Sequence, residues 1–250
     1  MSAVVPEISI VLPVFNEEGN LAALLAEFAE VLRPTGRPFE VLCVDDASTD
    51  RSVAVLREWQ PKYPEMHLLR HRVNAGQSAA YATGFAHARG QVVITMDADG
   101  QNDPHDIPAL LAALTPGIAC VTGVRRRRLD NATRRISSRI ANAYRNWVTG
   151  DRITDAGCTF RALRREALRE LPVFNGLHRF IPTILRRQGY RVAELPVNHR
   201  PRTQGVTKYG TRNRLWRGLR DCFAMRWYAA RAVPADRLLP ETDGVGTRPS

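Results

Sequence analysis

At 250 residues and 44% hydrophobic, the chain can form one large domain with a well-filled core, or a domain with an appendage. Its formal charge of +11 is unevenly spread: residues 1–123 hold 8 Lys and Arg against 15 Asp and Glu, a net of −7, whereas residues 124–232 hold 26 against 7, a net of +19. The basic half calls for an anionic partner (nucleic acid, phosphate or a membrane surface), while four scattered cysteines without a Cys-x-x-Cys pair argue against a disulfide framework or a zinc site.

In chain order, residues 8–14 form an apolar strand, and Asn16-Glu17-Glu18 opens an amphipathic helix to about 33, with acids at its positive end. A second strand over 39–44 ends in Asp45-Asp46. Ser48-Thr49-Asp50 then signals a helix carrying Val53, Leu56 and Trp59 at helical spacing. A short strand at 67–71, an Ala- and Gly-rich helix at 76–88 and a strand at 91–96 follow. A helix at 104–114 and a strand at 118–122 complete the acidic half. Beyond the Arg125–Arg128 run a helix is expected from about 131 to 148, with Ile136, Ile140, Ala143 and Trp147 on one stripe and Arg134, Ser138 and Arg145 opposite. The remaining expectations are a strand at 157–162, helices at 164–170 and 176–187, a strand at 190–197, a glycine-containing loop at 200–210 and a helix at 211–232. Residues 233–250, poor in hydrophobics, read as a disordered tail.

Strands alternating with helices imply an α/β domain over 1–232 with a mostly parallel sheet. Three apolar strands end in polar clusters (Phe15-Asn16-Glu17, Asp45-Asp46 and Asp97-Asp99), which a parallel sheet gathers along one edge as an acidic crevice. The most informative stretch is Val92-Val93-Ile94-Thr95-Met96-Asp97-Ala98-Asp99-Gly100-Gln101, where a buried-type strand stops in two carboxylates one residue apart. Carboxylates are rarely buried unpaired, and a hard divalent cation with phosphate co-ligands suits this geometry. A glycine-rich dinucleotide fingerprint is missing after the first strand, and the six histidines form no metal-ligand spacing.

Ile10-Val11-Leu12-Pro13-Val14-Phe15-Asn16-Glu17, Val44-Asp45-Asp46-Ala47-Ser48-Thr49-Asp50, Asn74-Ala75-Gly76 and the Asp97-Ala98-Asp99 turn resemble the A-type (GT-A) family 2 glycosyltransferases, which use a nucleotide-sugar donor. Asp155-Ala156-Gly157-Cys158-Thr159-Phe160-Arg161 and Arg202-Thr203-Gln204-Gly205-Val206-Thr207-Lys208-Tyr209 are similar to the polyprenyl-phosphate branch, which includes dolichol-phosphate mannose synthase and the undecaprenyl-phosphate aminoarabinose-type transferases. The similarity covers about 7–232, and its motifs are jointly specific.

The resemblance implies a Rossmann-like GT-A fold in which 1–123 binds the nucleotide-sugar and 124–232 the acceptor. It places the nucleoside on Pro13, Phe15, Glu17 and Asp46, with Gly76 beside it. Mg²⁺ or Mn²⁺ would be held by Asp97, Asp99 and Gln101 around Ala98. Arg202 and Lys208 would lie over the donor diphosphate, and Arg125, Arg134 and Ser138 would meet the lipid phosphate. Arg135 and Arg139 repeat the same i, i+4 spacing, so the register is open. Asp97, Asp99, Arg125 and Arg202 are the expected catalytic set. Asp155 orients the sugar or an arginine, or belongs to an ordinary turn. A phosphate monoester is already an anionic nucleophile at neutral pH, so an arginine-rich site without a general base suits it.

The expected reaction is inverting sugar transfer to an undecaprenyl or dolichyl phosphate for envelope glycan or glycolipid assembly. A family 2 transferase acting on a saccharide or other hydroxyl is the alternative, and a non-catalytic nucleic-acid- or membrane-binding protein a remote one. Trp216, Leu219, Phe223 and Trp227 beside Arg214, Arg217 and Arg220 form a helical stripe suited to an anionic membrane surface, or to packing on the core. Neither a signal peptide nor a transmembrane helix is expected, since no basic stretch before an apolar run opens the sequence and no run approaches roughly 18 apolar residues. The expected location is therefore cytoplasmic, peripheral to the inner face of the cell membrane, with a membrane-protein partner possible and nucleic acid not expected.

Overall fold

The computed structural model describes residues 5–126, 132–201 and 211–231, without the side chains of 132–139, 211–217 and 219. Arg202, Lys208 and the tail at 233–250 therefore lie outside the described residues, as do the side chains of Arg134, Ser138, Trp216 and Leu219.

The elements are β1 (Ile8–Val14), α1 (Glu18–Leu32), β2 (Phe39–Asp45), α2 (Ser52–Trp59), β3 (Met66–Arg70), α3 (Gln77–His87), β4 (Val92–Thr95), α4 (Ile107–Ala113), β5 (Ile118–Arg125), α5 (Ala132–Thr149), β6 (Arg161–Arg164), α6 (Ile181–Arg187), β7 (Arg191–Val197) and α7 (Thr211–Arg231). The seven strands form one sheet in the order β3-β2-β1-β4-β6-β5-β7. All pairings are parallel except those of β6, which runs antiparallel to both β4 and β5.

The period-2 alternation of β1 builds two cores. Ile8, Ile10, Leu12 and Val14 face α1, α2 and α4, meeting Leu21, Leu25, Phe28, Leu56 and Leu110. Val11, with Leu42 and Val44 of β2, faces the other way, toward Tyr81 of α3, Ile184 and Leu185 of α6, and Cys222 and Met225 of α7. Each fully buried large side chain contributes roughly 1.5–3 kcal/mol. α3 lies close on β1 because of Gly84: a Cβ there would sit 2.2 Å from a Val11 methyl. All four cysteines are buried free thiols.

The structure departs from the sequence expectations where loops carry tertiary bonds. α2 starts at Ser52 rather than near 48, because Thr49 N–H and Asp50 N–H are taken by the Asn16 carboxamide at 2.7 and 3.3 Å. Residues 165–168 form one 3₁₀ turn, and Pro182 starts α6 afresh after a separate turn at Leu177–Arg179. The strand expected at 157–162 is β6 at Arg161–Arg164. The α5 stripe faces outward: Ile140, Ala143 and Trp147 are exposed, Trp147 by 74%. Its opposite face is buried, because Arg145 pairs with Asp151 at 3.4 Å, stacks on Phe180 and donates to Thr183, while Val148 joins the core.

Candidate active site

The parallel strands β1, β2 and β4 end on one edge, as their carboxyl-terminal residues require. Asp46 N–H donates to Val14 O at 2.8 Å and Met96 N–H to Val11 O at 3.3 Å. This seats Asp97, one residue past Met96, beside the Phe15–Glu17 turn and the Asp45-Asp46 pair. Pro13, Phe15 and Glu17 are half-buried here, and Glu17 accepts from Asn20 Nδ2 at 2.8 Å.

Asp97 is partly exposed yet tightly held. Its Oδ1 accepts from Gln77 Nε2 at 2.6 Å and from the Tyr81 hydroxyl at 3.1 Å. Burial pushes its carboxyl up to about 6, and the Asp99 charge adds to this; hydrogen bonds from Thr159 and Tyr81 and the Arg161 charge pull the other way. Asp99 accepts from the Gln101 N–H at 3.1 Å. Two adjacent carboxylates, one of which holds its proton unusually tightly, form an all-oxygen donor set with solvent access. Those residues fit a hard divalent cation, whose charge would favour the ionised form of Asp97 that burial and the Asp99 charge disfavour. Gln77 and Tyr81 were not among the sequence-predicted site residues. Their i, i+4 spacing on α3 was the available signal, since it puts both on one face.

Asp46 is 3% exposed. Its Oδ1 accepts from Ala75 N–H at 2.8 Å and pairs with His71 Nδ1 at 2.7 Å, and its Oδ2 accepts from Gly76 N–H at 2.8 Å. Gly76, with φ +87°, caps α3 and leads directly into Gln77. In this structure Asp46 therefore organises the 74–76 turn.

The antiparallel β6 brings the basic half to the same edge. Arg161 pairs in register with both Thr95 of β4 and Thr122 of β5, so Asp97 and Arg125 project from the same end of the sheet, two strands apart. Arg161 is fully buried and, among the described residues, donates to neutral oxygens: Thr122 Oγ1 (3.2 Å), His178 O (2.9 Å) and Cys158 O (2.5 Å). Its charge is thereby left to stabilise the ionised Asp97. Arg125 is clamped by Asp155 through Nε–Oδ2 and Nη2–Oδ1 bonds, both of 2.7 Å, which selects the arginine-orienting role among those open to Asp155.

Gln101 closes the turn against the segment that follows β7. Its carbonyl accepts from Arg200 N–H at 2.8 Å, and its Nε2 lies 3.4 Å from both His199 Nε2 and Arg200 O. Residues 199 and 200 are thus tied to the Asp97–Gln101 turn. Glu27, Asp103 and His105 cluster nearby with ligand atoms within 4.8 Å of one another, but Arg200 already bonds Glu27 (2.9 and 2.8 Å) and Asp103 (2.7 Å). A guanidinium is the cation of that cluster.

Residues 9–172 match the family model for "Glycosyl transferase family 2". Curated relatives include the undecaprenyl-phosphate 4-deoxy-4-formamido-L-arabinose transferases of Edwardsiella ictaluri, 37% identical over 81% of this chain and 63% of the relative, and of Shewanella sediminis, 37% identical over 82% and 62%. The chain thus spans just under two thirds of the length of the relatives it matches. Among solved structures, glucosyl-3-phosphoglycerate synthase of Mycobacterium tuberculosis, in complex with Mn²⁺, UDP and phosphoglyceric acid, superposes with a TM-score of 0.68 at 18% identity, covering 92% of this chain and 80% of that one. A mannosyltransferase of Pyrobaculum calidifontis in complex with GDP-Man and Mn²⁺ gives 0.61 at 20% identity, covering 94% and 79%. These likenesses establish the GT-A fold. With the family match spanning most of the sheet and the carboxylate edge, the chain belongs to glycosyl transferase family 2.

Proposed function

We propose that this chain transfers a sugar from a nucleotide-sugar to a polyprenyl phosphate with inversion at the anomeric carbon. The observation that carries the reading is the convergence of Asp97 and Arg125 on one sheet edge, an acidic donor cradle beside an oriented guanidinium. The names of the curated relatives point to the same acceptor class.

Residues 1–123 serve the donor and 124–232 the acceptor. Pro13, Phe15, Glu17, Asp46 and Gly76 border the nucleoside. Asp97, Asp99 and Gln101 would hold Mg²⁺ or Mn²⁺, which when bound neutralises charge on the departing nucleoside diphosphate. Gln77 and Tyr81 fix the carboxylate of Asp97. Arg125, with Arg134 and Ser138 of α5, receives the acceptor phosphate, and Asp155 sets the plane of the Arg125 guanidinium. Arg202 and Lys208 would lie over the diphosphate. The phosphate oxygen attacks the anomeric carbon as the bond to the diphosphate breaks, and the diphosphate leaves with the electron pair. No proton need be removed from the nucleophile. A hydroxyl acceptor would need a base, and the nearby Asp155 carboxylate is instead bonded bidentately to Arg125.

A lipid acceptor also calls for a docking face. Ile140 and Trp147 of α5 and Phe223 and Trp227 of α7 are between 57% and 74% exposed, and Arg220, Arg226 and Arg231 are exposed near the α7 residues. No helix among the described residues is long and apolar enough to cross a membrane. Aromatic and arginine side chains of this kind suit the surface of an anionic bilayer, and we assign the chain to the cytoplasmic face. The reaction is tested by incubating the protein with radiolabelled UDP- or GDP-sugars and polyprenyl phosphate. Label is expected in the organic-extractable fraction, and label found only on soluble acceptors would overturn the lipid assignment.

A further inference from the structure

We infer that His71 is a positioning residue for the donor edge, acting through Asp46 and the 74–77 turn on the carboxylate of Asp97. The inference rests on the donor-site reading above. His71 follows β3, and its N–H donates to Asp45 O at 2.8 Å, so its backbone is fixed to β2. Its ring spans two elements: Nδ1 lies 2.7 Å from Asp46 Oδ1 and Nε2 lies 2.8 Å from Thr83 Oγ1 on α3. A carboxylate only accepts, so Nδ1 carries a hydrogen; in the neutral ring Nε2 then accepts from the Thr83 hydroxyl.

From Asp46 the connection runs without a break. The carboxylate takes the N–H groups of Ala75 and Gly76, and Asn74 Nδ2 donates to Asp46 O at 3.1 Å. Consecutive N–H groups converging on one anion define the shape of this turn. The next residue, Gln77, carries that shape to Asp97 through its 2.6 Å bond. His71 thus ties the start of α3 to the sheet at Asp46 and its second turn at Thr83, while touching neither Asp97 nor Asp99. Removing the ring takes one hydrogen bond from a nearly buried carboxylate and frees α3 to shift its Gln77 end against Asp97.

Calorimetry of native, His71→Ala, His71→Asn and Thr83→Val proteins with MnCl₂ plus UDP or GDP tests this. His71→Ala should weaken nucleotide binding about tenfold. His71→Asn, whose amide can donate where Nδ1 does, should recover most of the loss, and Thr83→Val should fall between. A merely structural histidine would lower the melting temperature of both His71 variants alike and leave the affinity of the folded protein unchanged. Equal affinity in native and His71→Ala protein, or an asparagine variant as weak as the alanine one, overturns the inference alone. Native protein that binds neither nucleotide overturns the donor reading, and the inference with it.

Discussion

The two halves of the sheet edge hold their charges differently. On the acidic side, carboxylates are bonded by mostly neutral donors: Asp97 by a carboxamide and a phenol, Asp46 by two backbone N–H groups and an imidazole. On the basic side, several guanidiniums are bonded by carboxylates, as in Arg125–Asp155, Arg145–Asp151–Arg186 and Arg179–Asp221, while the buried Arg161 donates to neutral oxygens. Neutral donors orient a carboxylate while leaving its charge for a cation. Ion pairs orient a guanidinium but cancel much of its charge. The net of +19 in residues 124–232 therefore overstates the capacity of that half for phosphate, since Arg145 and Arg161 are buried in construction.

The largest effect is expected on the acidic side. Asp99→Asn should lower turnover on the order of 10²- to 10³-fold and abolish the Mn²⁺ dependence of nucleotide binding. Asp97 sharpens this through pH. Its carboxyl is raised to about 6 in the fold, so in metal-free protein its contribution to stability is present below the unfolded value of 3.8 and is lost as pH rises through about 6. Relative to native protein, Asp97→Asn should thus gain melting temperature at pH 8 over pH 4. A bound cation must displace the same proton, so native Mn²⁺ affinity should climb between pH 5 and 7 while the variant's should not.

On the basic side Arg125→Ala should raise the KM for polyprenyl phosphate roughly 10- to 100-fold and leave the donor KM near native. Asp155→Asn should shift the same constant by less, because the guanidinium stays but loses its fixed plane. Equal effects on both substrates would break the division between halves. On the outer face, Trp147→Ser with Trp227→Ser should reduce binding to anionic vesicles about tenfold in a flotation assay without lowering the melting temperature, since both rings are exposed. The smallest effect is expected at Ala47, whose φ of +59° is left-handed. Ala47→Gly should stabilise by up to about 1 kcal/mol in chemical denaturation.

Most strands were legible because each is a short apolar run with a clear stop; β6, expected at 157–162, lies at Arg161–Arg164, where two arginines break the apolar pattern. Residues 8–14 read only as an apolar strand, and its division between two cores came from the structure; Gly100 and Pro104 marked a stop beyond β4. The Asp97/Asp99 pair was legible for the same reason: carboxylates at the end of a buried strand need a cause. Less legible were residues whose role depends on a distant partner. The spacing of α5 picked out its stripe but could not say which side faced water, because burial of Arg145 depends on Asp151, Phe180 and Thr183.

From the sequence alone came the α/β class, the parallel edge with its carboxylates, the family resemblance and the division into acidic and basic halves, all set by local patterns that survive without knowing the fold. The tertiary structure decided that β6 runs antiparallel between β4 and β5, that Gln77, Tyr81 and Arg161 serve Asp97, and that Asp155 is spent on Arg125. Each depends on groups tens of residues apart meeting at hydrogen-bond distance, and only the packed sheet and helices set those distances.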